Sequence, residues 1–379
     1  MTDGAAAGGV RLGDRQRLHW LRLIRTEYVG PATFRDLVNR FGSAEAALEA
    51  LPRLAMSGGA VRPVRIPSIA EAEAEMEAAV RCGARFVAAG ESGYPPMLRR
   101  MSNPPPLVAL KGAGALFELP PVAIVGARNA SLAAIRMARM LASELGRDGY
   151  AIISGLARGI DAAAHEGSLA TGTIAVLAGG LDRPYPPENL ALLESLTESG
   201  GAAISEMPFG WEPRARDFPR RNRIIAGLSL GLVVVEAANR SGSLISARLA
   251  GELGRLVFAV PGSPLDPRAA GTNGLLKDGA ILVTETADVR DAIAPLIGRL
   301  PTLPEDLDEP PDFAATPPPG DSDRERVIEA LGPVPTGIDE IIRHTGLHPA
   351  QVFMILLELD LAGRLERHPG AMVSLVYPG

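Results

Sequence analysis

Apolar runs and amphipathic stretches alternate regularly through the middle of the chain. Short apolar runs, each typical of a buried strand, begin near Val122, Ala151, Thr173, Ala202, Leu232, Val257 and Ile281. Apolar residues recur at helical spacing between them, for example over residues 132–145 and 244–253. Continuous apolar strands that alternate with helices are typical of a parallel sheet covered on both faces. We therefore predict an α/β fold, a doubly wound Rossmann-like parallel sheet, over residues 87–298.

Residues 14–86 have a helical pattern that predicts a small N-terminal module, similar to SAM or helix-hairpin-helix domains. Ser43 is a candidate N-cap, and Ser68 with Glu71 has the spacing of a capping box. A short turn, Val29-Gly30-Pro31, separates two of the predicted helices. In a helix-hairpin-helix unit the amides of such a turn can hold a DNA phosphate, and plain structural packing is the alternative.

The C-terminal part of the chain predicts a linker and a further small domain. Residues 299–323 read as an extended linker, because residues 301–323 contain seven prolines, seven acids and neither lysine nor arginine. Residues 324–379 resemble a winged helix-turn-helix domain whose second helix covers residues 349–361. That helix carries Glu358 and Asp360 and has no basic residue before Arg364, whereas a major-groove reader normally presents arginine, lysine or asparagine. We therefore expect this domain to contact protein or simply to pack.

The composition is that of a globular protein, with 46% hydrophobic and 22% charged residues and a formal net charge of −6. This charge excludes a generally basic nucleic-acid coat but leaves room for a local basic groove. Cys82 is the single cysteine, and the five histidines are scattered, so no metal-ligand set is recognisable. The N-terminus lacks the apolar core of a signal peptide, and no apolar run is long enough to span a bilayer. We expect a cytoplasmic protein with no metal, no cofactor and no membrane contact.

Positive charge is concentrated in one short segment of this acidic chain. Residues 214–223 contain five arginines and a single acid, Asp217. Ile224, Ile225 and Leu228 follow at helical spacing, so the segment reads as a basic loop that enters a helix with one buried side. A solvated basic face would be the simplest interpretation, but an anion site, most plausibly for phosphates, explains the concentration better.

Small-residue turns follow the predicted strands, where doubly wound sheets bind their ligands. The first turn contains Gly126 and Arg128, and an arginine at the second glycine position of the G-x-G-x-x-G fingerprint obstructs a dinucleotide but favours an anion. The second turn offers amides and a hydroxyl at Ser154 and Gly155. We predict a broad phosphate-lined surface at this edge of the sheet. Its other members are Arg158, Ser241 and Ser243, supported from behind by Asp161, Asn222 and Glu236.

With these residues in view, the chain resembles the DNA-processing protein A family, DprA, also called Smf. The matching stretches, in chain order, are VAIVGARNAS, SGLARGIDAAAH, GGLDRPYPPEN, ISEMPFG, FPRRNRIIAGLS, VVVEA, SGSLISA, and PGSP followed by GTNGLLKDGA. The resemblance implies a non-enzymatic protein that binds and protects incoming single-stranded DNA in natural transformation and homologous recombination. It also implies that the protein loads RecA, displaces single-strand binding protein, and forms a homodimer through the Rossmann-like domain.

The resemblance also implies roles for particular residues. Phe218 is a candidate base contact, with packing beneath the basic loop as the alternative. Arg220 stands where the family often has lysine, and because arginine keeps the charge we expect its function to be retained. The phosphate-binding residues carried over from the family are Arg128, Ser154, Gly155, Arg220 and Arg223, with Lys277 as a weaker candidate.

A nucleotide-processing enzyme is the competing hypothesis. Nucleoside monophosphate phosphoribohydrolases place an arginine and a glutamate around a glycine-rich turn, and Arg223 with Glu236 is the analogous pair here. The chain lacks their PGG-x-GT-x-x-E turn. The possible acid or base groups, Asp161, His165, Glu206 and Glu236, are not paired in sequence with a second catalytic group, so we predict no catalytic residue. An NAD-dependent oxidoreductase is disfavoured by Arg128.

Overall fold

A computed structural model describes residues 12–298 and 317–376 of the protein. These residues divide into two compact units. Residues 74–298 form the first, which we call the sheet unit, and residues 12–73 together with 317–376 form the second, which we call the terminal unit. The two ends of the described chain therefore belong to one unit, although the sequence predicts a separate module at each end.

Four helices follow one another at the start of the chain, and the boundary between the units lies within the last of them. The capping signals of the sequence are realised: Ser43 Oγ accepts from the Ala46 amide, and Ser68 and Glu71 bond each other's amides at 2.7 and 3.1 Å. Since these interactions are local, sequence reasoning predicts them well. The helices are α1 (Asp14–Ile24), α2 (Pro31–Phe41), α3 (Ala44–Ser57) and α4 (Ile69–Arg81).

The sheet unit contains a nine-stranded sheet in the order β1-β2-β6-β5-β4-β3-β7-β8-β9. All seven predicted strands are present and parallel to one another, as β3 (Pro121–Val125), β4 (Ala151–Ser154), β5 (Thr173–Val176), β6 (Ala202–Ser205), β7 (Gly231–Val234), β8 (Leu256–Ala259) and β9 (Ile281–Leu282). The sequence missed an antiparallel edge formed by β1 (Ala84–Ala88) and β2 (Leu107–Gly112), which pairs with β6. The sheet is therefore mixed rather than wholly parallel.

Helices cover both faces of this sheet, and an apolar cluster fills the space on each side. This double burial explains why the central strands read as continuous apolar runs. The connecting helices are α5 (Pro96–Arg99), α6 (Leu132–Arg147), α7 (Ile160–Ser168), α8 (Leu190–Glu198), α9 (Asp217–Leu228), α10 (Gly242–Glu252), α11 (Ala270–Lys277) and α12 (Thr286–Ile293).

The strand order reverses at β3, which pairs with β4 on one side and with β7 on the other. From β3 the chain proceeds to β6 in one direction, then returns to β7 and proceeds to β9 in the other. At such a switch point the connections after neighbouring strands leave in opposite directions, which opens a crevice at the carboxyl ends of the strands.

The C-terminal residues form the predicted winged helix. Its elements are α13 (Asp321–Ala330), β10 (Thr336–Gly337), α14 (Ile338–Thr345), α15 (Pro349–Leu361), β11 (Leu365–His368) and β12 (Met372–Leu375), and the strands form an antiparallel sheet in the order β10-β12-β11. The bounds of α15 agree with the sequence prediction. Most of the predicted linker, residues 299–316, lies outside the described residues. Its last three residues were assigned wrongly, because α13 begins at Asp321.

Candidate functional site

A cleft of about 700 Å³ opens at the switch point of the sheet. Its walls are the connection after β3, residues 125–129, the start of α10 with the residues before it, 238–246, and one side of α9. Ala157 and Asp161, which follow β4, also line it. The volume is within the range of small-molecule and nucleotide sites.

Helix α9 begins earlier than the sequence suggested. We predicted a basic loop that enters a helix, but Asp217 already lies in the first turn of α9, so Arg220, Arg221 and Arg223 are helical. The buried Asp217 carboxylate holds this start in place, because it accepts from the Arg214 amide at 2.8 Å and from Trp211 Nε1 at 2.9 Å. The helical phase therefore distributes the arginines between two sides of α9.

The side of α9 that faces the cleft carries an aromatic ring surrounded by arginines. The guanidinium carbon of Arg128 lies 5.0 Å from the centre of the Phe218 ring, and that of Arg221 lies 5.9 Å away. Tyr185 meets the same ring edge-on, with 5.8 Å between ring centres. Phe218 is partly exposed and Tyr185 is 46% exposed, so both rings can be reached from solvent. The pair forms an aromatic platform with a cationic border.

Arg221 supports this platform from below, and sequence reasoning missed it. The side chain is buried and donates from Nη1 to the carbonyl oxygens of Gly155 and Val176, the latter at 2.6 Å. Burial lowers the pKa of Arg221 to about 10, and the nearby Asp161 opposes that shift. Arg221 therefore stays protonated at neutral pH and adds positive charge to the cleft wall. If the basic run had been predicted as a helix, Arg221 would have been placed beside Phe218, because residues three positions apart are neighbours on a helix.

Arg220 and Arg223 lie on another side of α9. Both form ion pairs with Glu206, which follows β6: Arg220 Nε lies 2.9 Å from Oε1, and Arg223 Nη2 bonds Oε2. Neither arginine lines the cleft. The Arg220 side chain remains 47% exposed while that of Arg223 is 20% exposed. The two arginines carried over from the family as phosphate contacts are therefore partly neutralised by a buried carboxylate.

The polar groups of the turn after β4 form hydrogen bonds with other groups of the protein. Ser154 is fully buried and its hydroxyl donates to the Ile124 carbonyl at 2.6 Å. The amides of Gly155 and Ala157 donate to Asp161 Oδ2 at 3.1 and 3.4 Å. Burial raises the pKa of Asp161, an effect that Arg221 and these amides oppose. The hydrogen-bond partners of the Asp161 carboxylate are therefore these two backbone amides.

The connection after β3 packs closely against the connection after β7 and is hydrogen-bonded to it. A Cβ at Gly126 would lie 2.6 Å from the Ile160 side chain and 3.0 Å from the Glu236 carbonyl oxygen, so only glycine fits there. The Glu236 carboxylate accepts from the Ser131 amide and hydroxyl at 3.0 and 2.7 Å. Ser131 in turn caps α6. Glu236 therefore links the connection after β7 to the start of α6.

The start of α10 forms the far wall of the cleft. Ser241 caps this helix, and its hydroxyl lies 2.7 Å from that of Ser243. Asn222 donates to the Gly242 carbonyl at 3.3 Å, which links α9 to this wall. Arg240 lies at the mouth of the cleft and is exposed, and the sequence prediction did not include it.

The structure places the two remaining predicted residues differently. Arg158 is exposed beside Tyr185 and Phe218, in a small recess that also touches Arg128, and its Nη1 lies 3.6 Å from Glu188 Oε1. Lys277 is exposed in the last turn of α11 and is not part of the cleft wall.

Comparison with known proteins identifies the family. The family model of DNA recombination-mediator protein A matches residues 85–294, the DprA-like N-terminal HHH domain matches residues 14–78, and the DprA winged helix domain matches residues 310–371. Protein Smf of Escherichia coli (strain K12) is 40% identical over 294 residues, which cover 76% of this chain and 77% of that protein. The chain belongs to the DprA/Smf family.

Solved DprA structures share the fold. The X-ray structure of DprA from Streptococcus pneumoniae is 33% identical, with a TM-score of 0.56, over 69% of this chain and 86% of that chain. A DprA structure from Helicobacter pylori, whose description refers to its single-stranded DNA binding mode, is 28% identical, with a TM-score of 0.51, over 56% of this chain and 96% of that chain. Among the residues described for this DprA-family chain, no helix is both long and apolar enough to cross a membrane.

Proposed function

We propose that this protein binds single-stranded DNA in the switch-point cleft and acts as a mediator of homologous recombination. The observation that carries the proposal is the aromatic platform of Phe218 and Tyr185, bordered by Arg128 and Arg158. Stacking on an aromatic ring tolerates any base, and adjacent cations attract the backbone without reading its sequence. The family and the DNA-binding relative from Helicobacter pylori support the same ligand.

The charge distribution fits a strand better than a mononucleotide. Arg128, Arg221 and Arg240 line the main cleft, and Arg158 continues the positive charge past Tyr185. A strand that crosses from Arg240 to Arg158 would stack a base on Phe218 on the way. We propose phosphate contacts from Arg128, Arg158 and Arg240, whereas Arg220 and Arg223 act mainly through their pairing with Glu206.

The cellular role that we propose follows from family membership. The protein would protect incoming single strands in the cytoplasm, displace single-strand binding protein and load the RecA recombinase, as a homodimer and without catalysing a reaction. A loading assay tests this role directly. On strands coated with single-strand binding protein, we expect the protein to shorten the lag before RecA filaments form, and an unchanged lag would contradict the mediator role.

The phosphoribohydrolase hypothesis receives less support from the geometry. Its candidate pair was Arg223 with Glu236, but Arg223 bonds Glu206, and both Glu236 oxygens bond Ser131. Each member thus has a structural partner of its own. Release of free base from a nucleoside monophosphate by the purified protein would nevertheless restore this hypothesis.

Equilibrium binding at several salt concentrations tests the DNA-binding proposal. We expect tighter binding to single than to double strands, with a log–log salt slope of about −2 to −3.5 if about three to five phosphates are neutralised. Arg128→Ala should weaken binding about tenfold for every sequence alike. Arg343→Ala, which alters an exposed arginine of α14, is the matched control and should have no effect. Equal affinity for single and double strands would contradict the proposal.

A further inference from the structure

Helix α15 is the second helix of the helix-turn-helix, the position that enters the major groove in proteins that read DNA. Nine of its thirteen residues are buried in this protein. The helix is apolar on more than one side, which is typical of a helix covered all round rather than of a surface helix. The described residues therefore cover the side of α15 that a DNA reader would present.

Two separate apolar clusters account for this burial. Val352, Ile355, Leu356 and Leu359 pack within the winged-helix domain itself. Met354, Leu357 and Leu361 instead join the apolar cluster of the N-terminal module, in which α15 packs against α2 and α3. The members of this cluster from the N-terminal module include Leu23, Phe34, Leu37, Leu48 and Leu51. The second side of α15 is thus part of the core of the N-terminal module.

The backbones of the two modules approach closely at Gly58, which ends α3. A Cβ at Gly58 would overlap the carbonyl oxygen of Glu358 in α15. Gly58 has φ −74° and ψ −3°, which any residue adopts, so the glycine is needed here for space rather than for its conformational freedom. Contact this close between two backbones indicates a fitted interface.

Polar groups at and after the end of α15 also form hydrogen bonds and ion pairs with the N-terminal module. Thr33 Oγ1 donates to Asp360 at 2.7 Å, and Arg367 bridges Asp360 at 2.9 Å and Asp36 at 3.1 Å. Arg364 donates to the Gly58 carbonyl at 3.1 Å. The two arginines that follow α15 therefore bind groups of the protein itself. In a DNA reader such arginines would contact the phosphates of the DNA backbone.

The residue that precedes the hairpin turn of the N-terminal module lies at the same interface. Tyr28, which precedes the Val29-Gly30-Pro31 turn, lies so close to Gly363 that a Cβ there would be 2.7 Å from its ring. The residue before the hairpin turn thus contacts the segment that follows α15.

From these contacts we infer that the winged-helix domain is a protein-binding module whose partner is the N-terminal helical module of the same chain, and that α15 does not read duplex DNA. The interface between α15 and the N-terminal module has an apolar centre and a close backbone approach at Gly58. Oppositely charged groups, Arg367 and Asp36, pair at its border. The Pro- and acid-rich segment between residues 298 and 317 joins the sheet unit to this module.

Thiol accessibility in the full-length chain tests the inference. In a Cys82→Ser background, Met354→Cys places a thiol in the interface, and Val352→Cys places one in the core of the winged-helix domain. Both should react slowly with a maleimide. Gly58→Ala adds the overlapping Cβ and should accelerate Met354→Cys about tenfold or more, because overpacking opens the interface, while Val352→Cys stays protected.

Gly30→Ala is the matched control, since a Cβ at Gly30 meets nothing within 4 Å, and it should change neither rate. If Gly58→Ala also exposes Val352→Cys, the winged-helix domain has unfolded and the variant does not test the interface. The variant Thr33→Val, which removes only the hydrogen bond to Asp360, then provides the test. It should accelerate Met354→Cys alone. Rapid labelling of Met354→Cys without a second substitution, or no acceleration by either variant, would overturn the inference.

Duplex binding tests the second half of the inference. After Pro349, Gln351 and Phe353 are the side chains in the first half of α15 that remain at least partly exposed. The double variant Gln351→Ala with Phe353→Ala should leave the duplex affinity of the full chain within about twofold of wild type, since a helix that does not touch bases loses nothing. A loss of about tenfold or more on duplex DNA would show that α15 reads it.

Discussion

Helices α9 and α15 both have sequence features of DNA-binding elements, and they are used in opposite ways. Helix α9 carries the basic run and has one side open to the switch-point cleft. Helix α15 occupies the recognition position of a helix-turn-helix and is covered on both sides. Motif and charge therefore do not show which helix keeps side chains open to a ligand. The contacts that the rest of the protein makes with each helix decide that.

The same difference exists within α9. Phe218 and Arg221 face the cleft, whereas Arg220 and Arg223 are paired with the buried Glu206. A short basic run can therefore supply both a binding surface and a structural ion-pair network, depending on the helical phase of each arginine.

The largest effect is expected when the exposed phenylalanines of the two helices are compared. Phe218→Ala should weaken single-strand binding about tenfold to a hundredfold, because base–aromatic stacking contributes about 1–3 kcal/mol. Phe353→Ala, at a residue of α15 that is 38% exposed, should leave the affinity unchanged. Fluorescence anisotropy with a labelled oligonucleotide measures both. A loss caused by Phe353→Ala, or none by Phe218→Ala, would reverse the comparison.

Acidification should destabilise the sheet unit through His165. Burial lowers the pKa of His165 from 6.5 to about 3, so the unfolded chain binds a proton over this pH range while the folded chain does not. The contribution of the neutral His165 to stability is fully present above pH 6.5 and is lost progressively as the pH falls from 6.5 towards about 3. Urea unfolding followed by Trp211 fluorescence in a Trp20→Phe background measures the effect, and His165→Gln should flatten the slope.

The carboxyl group of Asp360, near the end of α15, should behave in the opposite way. Burial raises the pKa of Asp360, while Arg367 and Thr33 oppose that shift. A raised folded-state pKa means that Asp360 costs stability as the pH rises, so acidification should not destabilise the terminal unit through it. Trp20, in a Trp211→Phe background, reports on this unit. An acid-induced loss there that Asp360→Asn abolishes would contradict the sign.

The smallest effect on DNA binding is expected when an arginine of the cleft, Arg240, is compared with Arg220 on the other side of α9. Arg240→Ala should weaken single-strand binding about fivefold and reduce the salt slope by about 0.7, because Arg240 lines the cleft. Arg220→Ala should cost about twofold or less, because Glu206 already offsets its charge. A larger loss from Arg220→Ala than from Arg240→Ala would mean that the strand follows the Glu206 side.

Sequence reasoning succeeded where the determining interactions are local or periodic. The capping box of Ser68 and Glu71, the N-cap at Ser43 and the bounds of α15 follow from residues within a few positions of one another. It failed for β1 and β2, neither of which was predicted as a strand. Those strands are defined by pairing with each other and with the distant β6, and no local pattern signals such pairing.

The amino-acid sequence by itself determined the alternation of strands and helices, the family, and the edge of the sheet at which the cleft opens. Each of these depends on periodicity, on local motifs, or on the rule that parallel strands direct their carboxyl ends to one edge. Only the tertiary structure decided that Arg221 rather than Arg220 faces the cleft, that Glu206 holds two arginines, and that the N-terminal module covers α15. These outcomes depend on contacts between residues far apart in the chain, which neither charge nor periodicity specifies.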